Sequence, residues 1–322
     1  MTDIEWCDRS VNPVIGCSKV SEGCKHCYAE TLAVSMVRRR LPVAERYRQV
    51  VDGRHWSGRA VLDRAMMSRA RTSGARPPMR VRNPDGSWRP ARIFCVSMGD
   101  LFHESLSVEE IAEVWRWMGD ARVDARGRLH RGPTWIVVTK RPERAAAVLG
   151  DIVPPSAEED ITPRPHVHLL TTVESQEHAA PRLDALTQIP TGPDGLVDLV
   201  GVSAEPLLGP LDLRPWIDRL GWVIPGAESG PGARPCYVRW IEDLVHQCRD
   251  ARVPVFVKQL GRRPMLGNGW ASCLFHERKR WPGEPPPIVI DPQTADVTAW
   301  LADAKGGDPR EWPEDLRIRE WP

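Results

Sequence analysis

The sequence predicts an α/β fold, a full or partial (β/α) barrel, and three observations carry that expectation. Short, β-rich and nearly continuous apolar runs recur along the chain; segments with helical signals separate them; and no Gly-x-Gly-x-x-Gly turn follows an early strand, as an open dinucleotide-binding sheet would need. A strand covered by helices on both faces loses its period-two alternation, and alternating strands and helices imply parallel pairing through right-handed crossovers. An open sheet stays compatible with the same pattern. At 322 residues the chain suits one catalytic domain with insertions.

Taken in order, a first strand is expected near Val14-Ile15, before the cysteine-bearing loop. Ile93-Phe-Cys-Val-Ser97 then leads into Met98-Gly-Asp100, Trp135-Ile-Val-Val138 into Thr139-Lys140-Arg141, and His166-Val-His-Leu-Leu170 into Thr171-Thr-Val-Glu174. Leu199-Val-Gly-Val202 precedes Ser203-Ala-Glu205, Trp222-Val-Ile224 precedes Gly226-Ala-Glu228, and Val255-Phe-Val257 precedes Lys258-Gln259. Helices are expected from Ser107-Val-Glu-Glu110 through Met118, over 141–149 behind Pro142, over 177–186 and over 237–251. In a barrel the residues closing each strand face one mouth, which would gather Asp100, Lys140, Glu174, Glu205, Glu228 and Lys258. Such a ring of charges either binds something or pairs internally.

Two stretches fall outside this repeat. Residues 42–90 read as a basic insertion in a domain spanning 1–261, with turns at Pro77-Pro78 and Asn83-Pro-Asp-Gly86, and 262–322 as an irregular extension whose Trp300, Trp312 and Trp321 pack back on the domain. Residues 38–92 contain fifteen Arg, no Lys and four acidic residues, about +11 in a chain whose net charge is +1, so about −10 falls on the remainder. Guanidinium clusters grip phosphates bidentately, which points to a nucleic acid or a nucleotide-type substrate, although a solvated Arg-rich helical insertion has the same composition.

Ordinary hydrophobic (41%) and charged (27%) fractions exclude a disordered or fibrous chain. No apolar stretch is long enough to span a bilayer, and Met1-Thr-Asp-Ile-Glu-Trp6 lacks the features of a signal peptide, so a soluble, cytoplasmic protein without a membrane partner is expected. Eight cysteines are too sparse for a disulfide scaffold, and three of them, Cys17, Cys24 and Cys27, crowd a Gly-punctuated loop as C-x6-C-x2-C. Three thiolates can hold three irons of a [4Fe–4S] cluster and leave the fourth open to S-adenosylmethionine, which an external one-electron reductase would then help to cleave. A zinc site completed by His26 or Cys7 is the rival, although zinc usually draws its ligands in two close pairs and no second pair is present. Cys7, Cys95, Cys236, Cys248 and Cys273 read as buried apolar residues; Cys236, in a loop beside the expected mouth, is also a candidate hydrogen donor.

The motifs Ile4-Glu-Trp6, Asn12-Pro13, Gly16-Cys17 through Cys27-Tyr-Ala-Glu30, Ser97 through Phe102 and Thr139-Lys-Arg-Pro142 are part of a longer series. Thr172-Val-Glu174, Glu205-Pro-Leu-Leu-Gly209, Glu228 through Arg234 and Phe256-Val-Lys-Gln259 complete it, and together they resemble the phage-associated three-Cys-motif family. Its members are described as a domain of unknown function and regarded as radical S-adenosylmethionine-like. Val11 stands where that pattern has a tryptophan, and Pro225-Gly-Ala-Glu228 replaces a Gly-Gly-Glu. The resemblance implies a partial barrel of the radical S-adenosylmethionine type, with the cluster on Cys17, Cys24 and Cys27 and Tyr28 beside the last of them. It further implies that Ser97 to Asp100 face the methionine amino group, that Lys140 pairs with the carboxylate, and that Glu174 or Glu205 holds the ribose hydroxyls. Glu228, Arg234 and Lys258 are then left for the substrate. A zinc-stabilised nucleic-acid binder, or a silent scaffold for a genetically neighbouring protein, would need no such chemistry.

Overall fold

The computed structural model describes residues 4–72, 80–119, 122–123, 129–130, 132–152, 165–268, 288–290, 296–299 and 301–322. Pro77-Pro78, Cys273 and Trp300 lie outside them. The chain divides into two compact units, one of 1–171 with 185–200 and one of 172–184 with 201–322.

The first unit is built on four parallel strands. β1 (Arg9–Val11) pairs with β8 (Arg92–Cys95), β8 with β11 (Thr134–Thr139), and β11 with β12 (His166–Thr172), Val137 opposite Leu169. β1 has β8 as its neighbour and no second one among the described strands, so this edge is open rather than closed into a barrel. The first sheet strand is therefore Arg9–Val11. The apolar pair Val14–Ile15 forms β2, which pairs antiparallel with β5 (Val61–Leu62) and is fully buried there. Between β2 and β8 come α1 (Tyr28–Arg38), a small hairpin of β3 (Val51–Asp52) and β4 (His55–Trp56), α2 (Arg64–Thr72) and a second hairpin of β6 (Arg80–Arg82) and β7 (Trp88–Pro90). The described part of the Arg-rich stretch thus consists of short helices, hairpins and turns, and part of its charge is neutralised: Arg46 pairs with Asp63 at 2.8 Å and Arg64 with Glu113 at 2.9 Å.

α3 (Val108–Gly119) begins with the reciprocal cap that its first residues encode. Glu110 N–H donates to Ser107 Oγ at 3.2 Å and Ser107 N–H to Glu110 Oε2 at 3.1 Å, satisfying two donors that the first helical turn leaves open. Two-residue strands β9 (Arg122–Val123) and β10 (Leu129–His130) precede β11, and α4 (Pro142–Ile152) follows it with proline in its first turn, where the missing N–H is harmless.

The second unit contains most of α5 (Gln176–Leu186), the greater part of β13 (Leu199–Ala204) and β14 (Trp222–Pro225), which pairs parallel with β13. The apolar run Val255–Val257 forms backbone bonds on both sides: Phe256 N–H donates to Val223 O at 2.9 Å, and Val257 N–H to Ile318 O at 2.9 Å. The extension expected to be irregular is therefore partly ordered by pairing. β15 (Cys236–Tyr237), β16 (Pro264–Asn268), β18 (Asp296–Ala299) and β17 (Ile288–Ile290) form a four-stranded sheet in that order, with α6 (Val238–Ala251) between β15 and β16. Trp312 is buried with its indole N–H on Gly306 O, and Trp321 meets the Phe256 ring at 5.0 Å. No helix among the described residues is long and apolar enough to cross a membrane.

Candidate functional site

Gly16 makes the cysteine loop possible. Its φ of +87° disfavours any L side chain, and a Cβ there would lie 2.3 Å from Arg59 O and 2.7 Å from Val50 Cγ1. The bare backbone lets Gly16 N–H donate to Met98 O at 2.9 Å and bridge in parallel to Gly99, which sets the cysteine loop beside the loop that follows β8.

Cys17 and Cys27 pack, half-buried, against a small apolar cluster of Ile15, Ala29, Ala33, Tyr47, Val50, Trp56 and Met98. Cys24 closes the 3₁₀ turn Glu22–Cys24, its sulfur 3.7 Å from Ser21 Oγ, and Cys27 is the N-cap of α1. Burial pushes Cys17 up to about 12, the Asp100 carboxylate adds to this, the Arg141 guanidinium opposes it, and Cys27 and Cys24 add further. A thiol so perturbed stays protonated at neutral pH, which is the reverse of a nucleophilic cysteine, and would become a ligand only with a cation to displace its proton. Among the described residues no three His, Cys, Asp or Glu are grouped to hold one metal ion. Ligands sharing a tetrahedral zinc at 2.3 Å must come within about 3.8 Å of each other, whereas thiolates on different irons of one cluster are held further apart.

Arg141 organises the loop from below. Nearly buried at the end of β11, it donates to Asp100 Oδ2 at 3.0 Å, Glu104 Oε1 at 2.7 Å and Ser18 Oγ at 2.7 Å, and its Nη1 lies 3.8 Å from Cys17 Sγ. Asp100 also accepts from Phe102 N–H, Thr139 Oγ1–H and Lys140 N–H at 2.7–3.2 Å, so this carboxylate is committed to the protein. His103 shares a 3.0 Å hydrogen bond with Ser18 Oγ, and burial with the nearby Arg141 holds its imidazole below the usual range. Asn12 Oδ1 accepts from Ser97 N–H at 2.7 Å and Met98 N–H at 2.9 Å, while Tyr28, largely exposed, donates its hydroxyl to Ser97 O at 2.7 Å. Glu30, buried on α1, pairs with Lys19 at 2.8 Å and accepts from Trp56 N–H at 2.9 Å, tying the cysteine loop to the β3–β4 hairpin. Cys17, Cys24, Cys27, Tyr28, Ser97, Asp100 and the Lys140 backbone thus belong to one network in the first unit. Arg141, Ser18, His103, Asn12 and Glu30 hold it, and none of these five was assigned a role from the sequence. Asn12, Ser18, Glu30 and Arg141 do lie inside the motifs that carry the resemblance.

The second unit holds the other residues in separate groups. Lys258 pairs with Glu205, and Gln259 Nε2–H donates to Ala227 O at 2.6 Å and to Glu205 at 3.4 Å. Gly226 borders this pair: a Cβ there would lie 3.4 Å from Lys258 Cβ and 3.6 Å from the Glu205 carboxyl carbon. Glu228 receives Arg234 through its backbone N–H at 2.8 Å and through its guanidinium. Glu174 is buried against Arg182, which also donates to Thr172 O at 2.6 Å. Cys236 is buried, and burial pushes its thiol up to about 12.

Fold and site define an α/β protein of parallel strands with a three-cysteine loop seated beside strand ends. A family model described as "Protein of unknown function (DUF5131)" matches residues 1–280, and the chain belongs to that family. Comparison with curated proteins and with solved structures gives no match.

Proposed function

We propose that the chain is a radical S-adenosylmethionine enzyme, with a partial-barrel fold of that type, whose Cys17, Cys24 and Cys27 hold a [4Fe–4S] cluster and whose substrate is a nucleic acid or a nucleotide. The observation that carries this reading is the placement of Cys17, Cys24 and Cys27 on one loop, with the Arg141 guanidinium 3.8 Å from the Cys17 sulfur. The donor set fits in its chemistry: three thiols on one loop suit a cluster with one open iron. When bound, such a cluster supplies one-electron cleavage of S-adenosylmethionine to methionine and a 5′-deoxyadenosyl radical, the electron coming from an external reductase.

The protein's own residues have distinct parts in this. Arg141 places positive charge where thiolate charge must accumulate. Asp100 orients Arg141, Thr139 and the Lys140 backbone, and Tyr28, Ser97 and the Lys140 side chain are assigned, on the resemblance, to the amino and carboxylate groups of the cofactor. Glu174 and Glu205 are the ribose candidates that the resemblance implies, and within the second unit each has a cationic partner, Arg182 and Lys258. Lys258, Glu228 and Arg234 are assigned to the substrate. Cys236 keeps its S–H at neutral pH, the state a hydrogen-atom donor needs. Three closely spaced cysteines in a chain too poor in cysteine for a disulfide scaffold support a reducing compartment, the cytoplasm, as its location.

Anaerobic reconstitution tests the reading. The expected product is a brown protein with about four irons per chain that releases 5′-deoxyadenosine on reduction, and Cys24→Ala should lose both properties. A colourless chain with one zinc, or colour and cleavage that survive Cys24→Ala, would overturn it.

A further inference from the structure

The β6–β7 hairpin sorts its side chains by face. Arg80 is opposite Pro90, Val81 opposite Arg89 and Arg82 opposite Trp88. Opposed residues of an antiparallel pair project from the same face and successive residues alternate, so Arg80, Arg82, Trp88 and Pro90 share one face, and Val81 and Arg89 the other. Exposure follows that division: the first four are exposed, the second two half-buried. The half-buried face anchors the hairpin, since Arg89 donates to both Asp8 oxygens at 2.6 and 2.7 Å and to Asn83 Oδ1 at 3.0 Å. The hairpin's one acidic residue, Asp85, accepts from Ser87 N–H and Oγ–H in the turn. Arg80 Nη2 donates to Trp88 O at 3.0 Å and Arg82 Nε to Gly86 O at 3.1 Å, which ties both guanidiniums to the hairpin, and the indole that shares their face is 58% exposed.

A lone exposed indole is unremarkable. Two guanidiniums placed beside it by strand register, on the most basic stretch of the chain, match one kind of partner. We propose that this face is a stacking platform for single-stranded nucleic acid: Trp88 receives an unpaired base, and Arg80 and Arg82 the flanking phosphates. A base offers its flat face to an indole only when it is unpaired, because in a duplex both faces are covered by neighbours, and guanidiniums match phosphate geometry. The inference rests on the nucleic-acid part of the proposed function and is independent of the cluster.

Fluorescence anisotropy of a labelled oligodeoxythymidine, with the full chain, tests it against a labelled duplex of mixed sequence. Wild type should bind the single strand more tightly. Trp88→Ala should weaken binding roughly tenfold, while Trp88→Phe, which keeps an aromatic face, should retain most of it. The double variant Arg80→Gln/Arg82→Gln should lower the slope of log K against log salt by about 1.4, two single-strand phosphate contacts. These side chains are exposed, so melting temperatures should match wild type. Strand binding by Trp88→Ala within about twofold of wild type, or equal binding of the duplex, overturns the assignment. No binding by wild type overturns both this inference and the nucleic-acid part of the proposed function, whereas iron content tests the cluster separately.

Discussion

Replacing Arg141 with Gln should remove about 2–3 kcal/mol of stability, and the structure sets that figure. Breaking a buried ion pair from one side typically costs about 3–5 kcal/mol, because a charge is left without a partner, whereas an exposed pair is worth about 0–1 kcal/mol. Here Arg141 and Asp100 are only 5% and 6% exposed at 3.0 Å, which places their pair in the first class, while Glu104 at 62% exposure falls in the second. The cost is moderated because Asp100 would keep Phe102 N–H, Thr139 Oγ1–H and Lys140 N–H. Thermal and denaturant unfolding of wild type, Arg141→Gln, Asp100→Asn and the double variant would give the coupling between the two side chains. A fall in Tm of roughly 5–10 °C for Arg141→Gln and a coupling of about 2 kcal/mol are expected. Arg141→Lys should recover only part, since an ammonium cannot bridge Asp100, Glu104 and Ser18 as a planar fork does. A coupling below about 0.5 kcal/mol would refute the reasoning.

Gly16→Ala should destabilise the first unit by about 3 kcal/mol or more and, on the proposed function, abolish iron uptake, because φ of +87° and a Cβ 2.3 Å from Arg59 O cannot both be relieved; a variant that melts with wild type would contradict this. Ser107→Ala should cost about 1 kcal/mol through loss of the α3 cap, with Ser107→Asp near wild type, as read from denaturant midpoints. Burial holds the His168 imidazole down at about 4, against the pull of Asp198 and with help from Arg92 and His166. The unfolded chain, with a His value near 6.5, takes up that proton first, so stability should fall by up to about 3 kcal/mol as pH drops from about 6.5 to 4. His168→Gln should flatten that part of the pH–stability curve; parallel losses in variant and wild type would exclude His168 as the source.

Much of the fold was legible because its signals are local. Thr134–Thr139 and Leu199–Ala204 carry the β-rich apolar runs of buried strands, and the Ser107–Glu110 cap is written in four residues. The first sheet strand was missed for a physical reason: Arg9–Val11 lies at the sheet edge, exposed or half-buried, and carries no apolar run. The buried run was Val14–Ile15, whose partner is β5. The order in the C-terminal segment was hidden for a similar reason. Ile318 and Glu320 are held by backbone bonds to Val257 and Val255, which leave no pattern in side-chain identity.

By itself the sequence determined the alternation of strands and helices, the three-cysteine loop and the basic character of residues 38–92, since periodicity, spacing and charge are properties of neighbours along the chain. Tertiary structure alone decided which charges have partners. Arg141 reads in sequence as one more basic residue, and burying it is favourable only where β8 and β11 bring Asp100 to one side of it and Gly16 lets Ser18 and Cys17 approach the other. Trp88 likewise became distinctive only when strand register placed Arg80 and Arg82 on its face and turned Arg89 to the other.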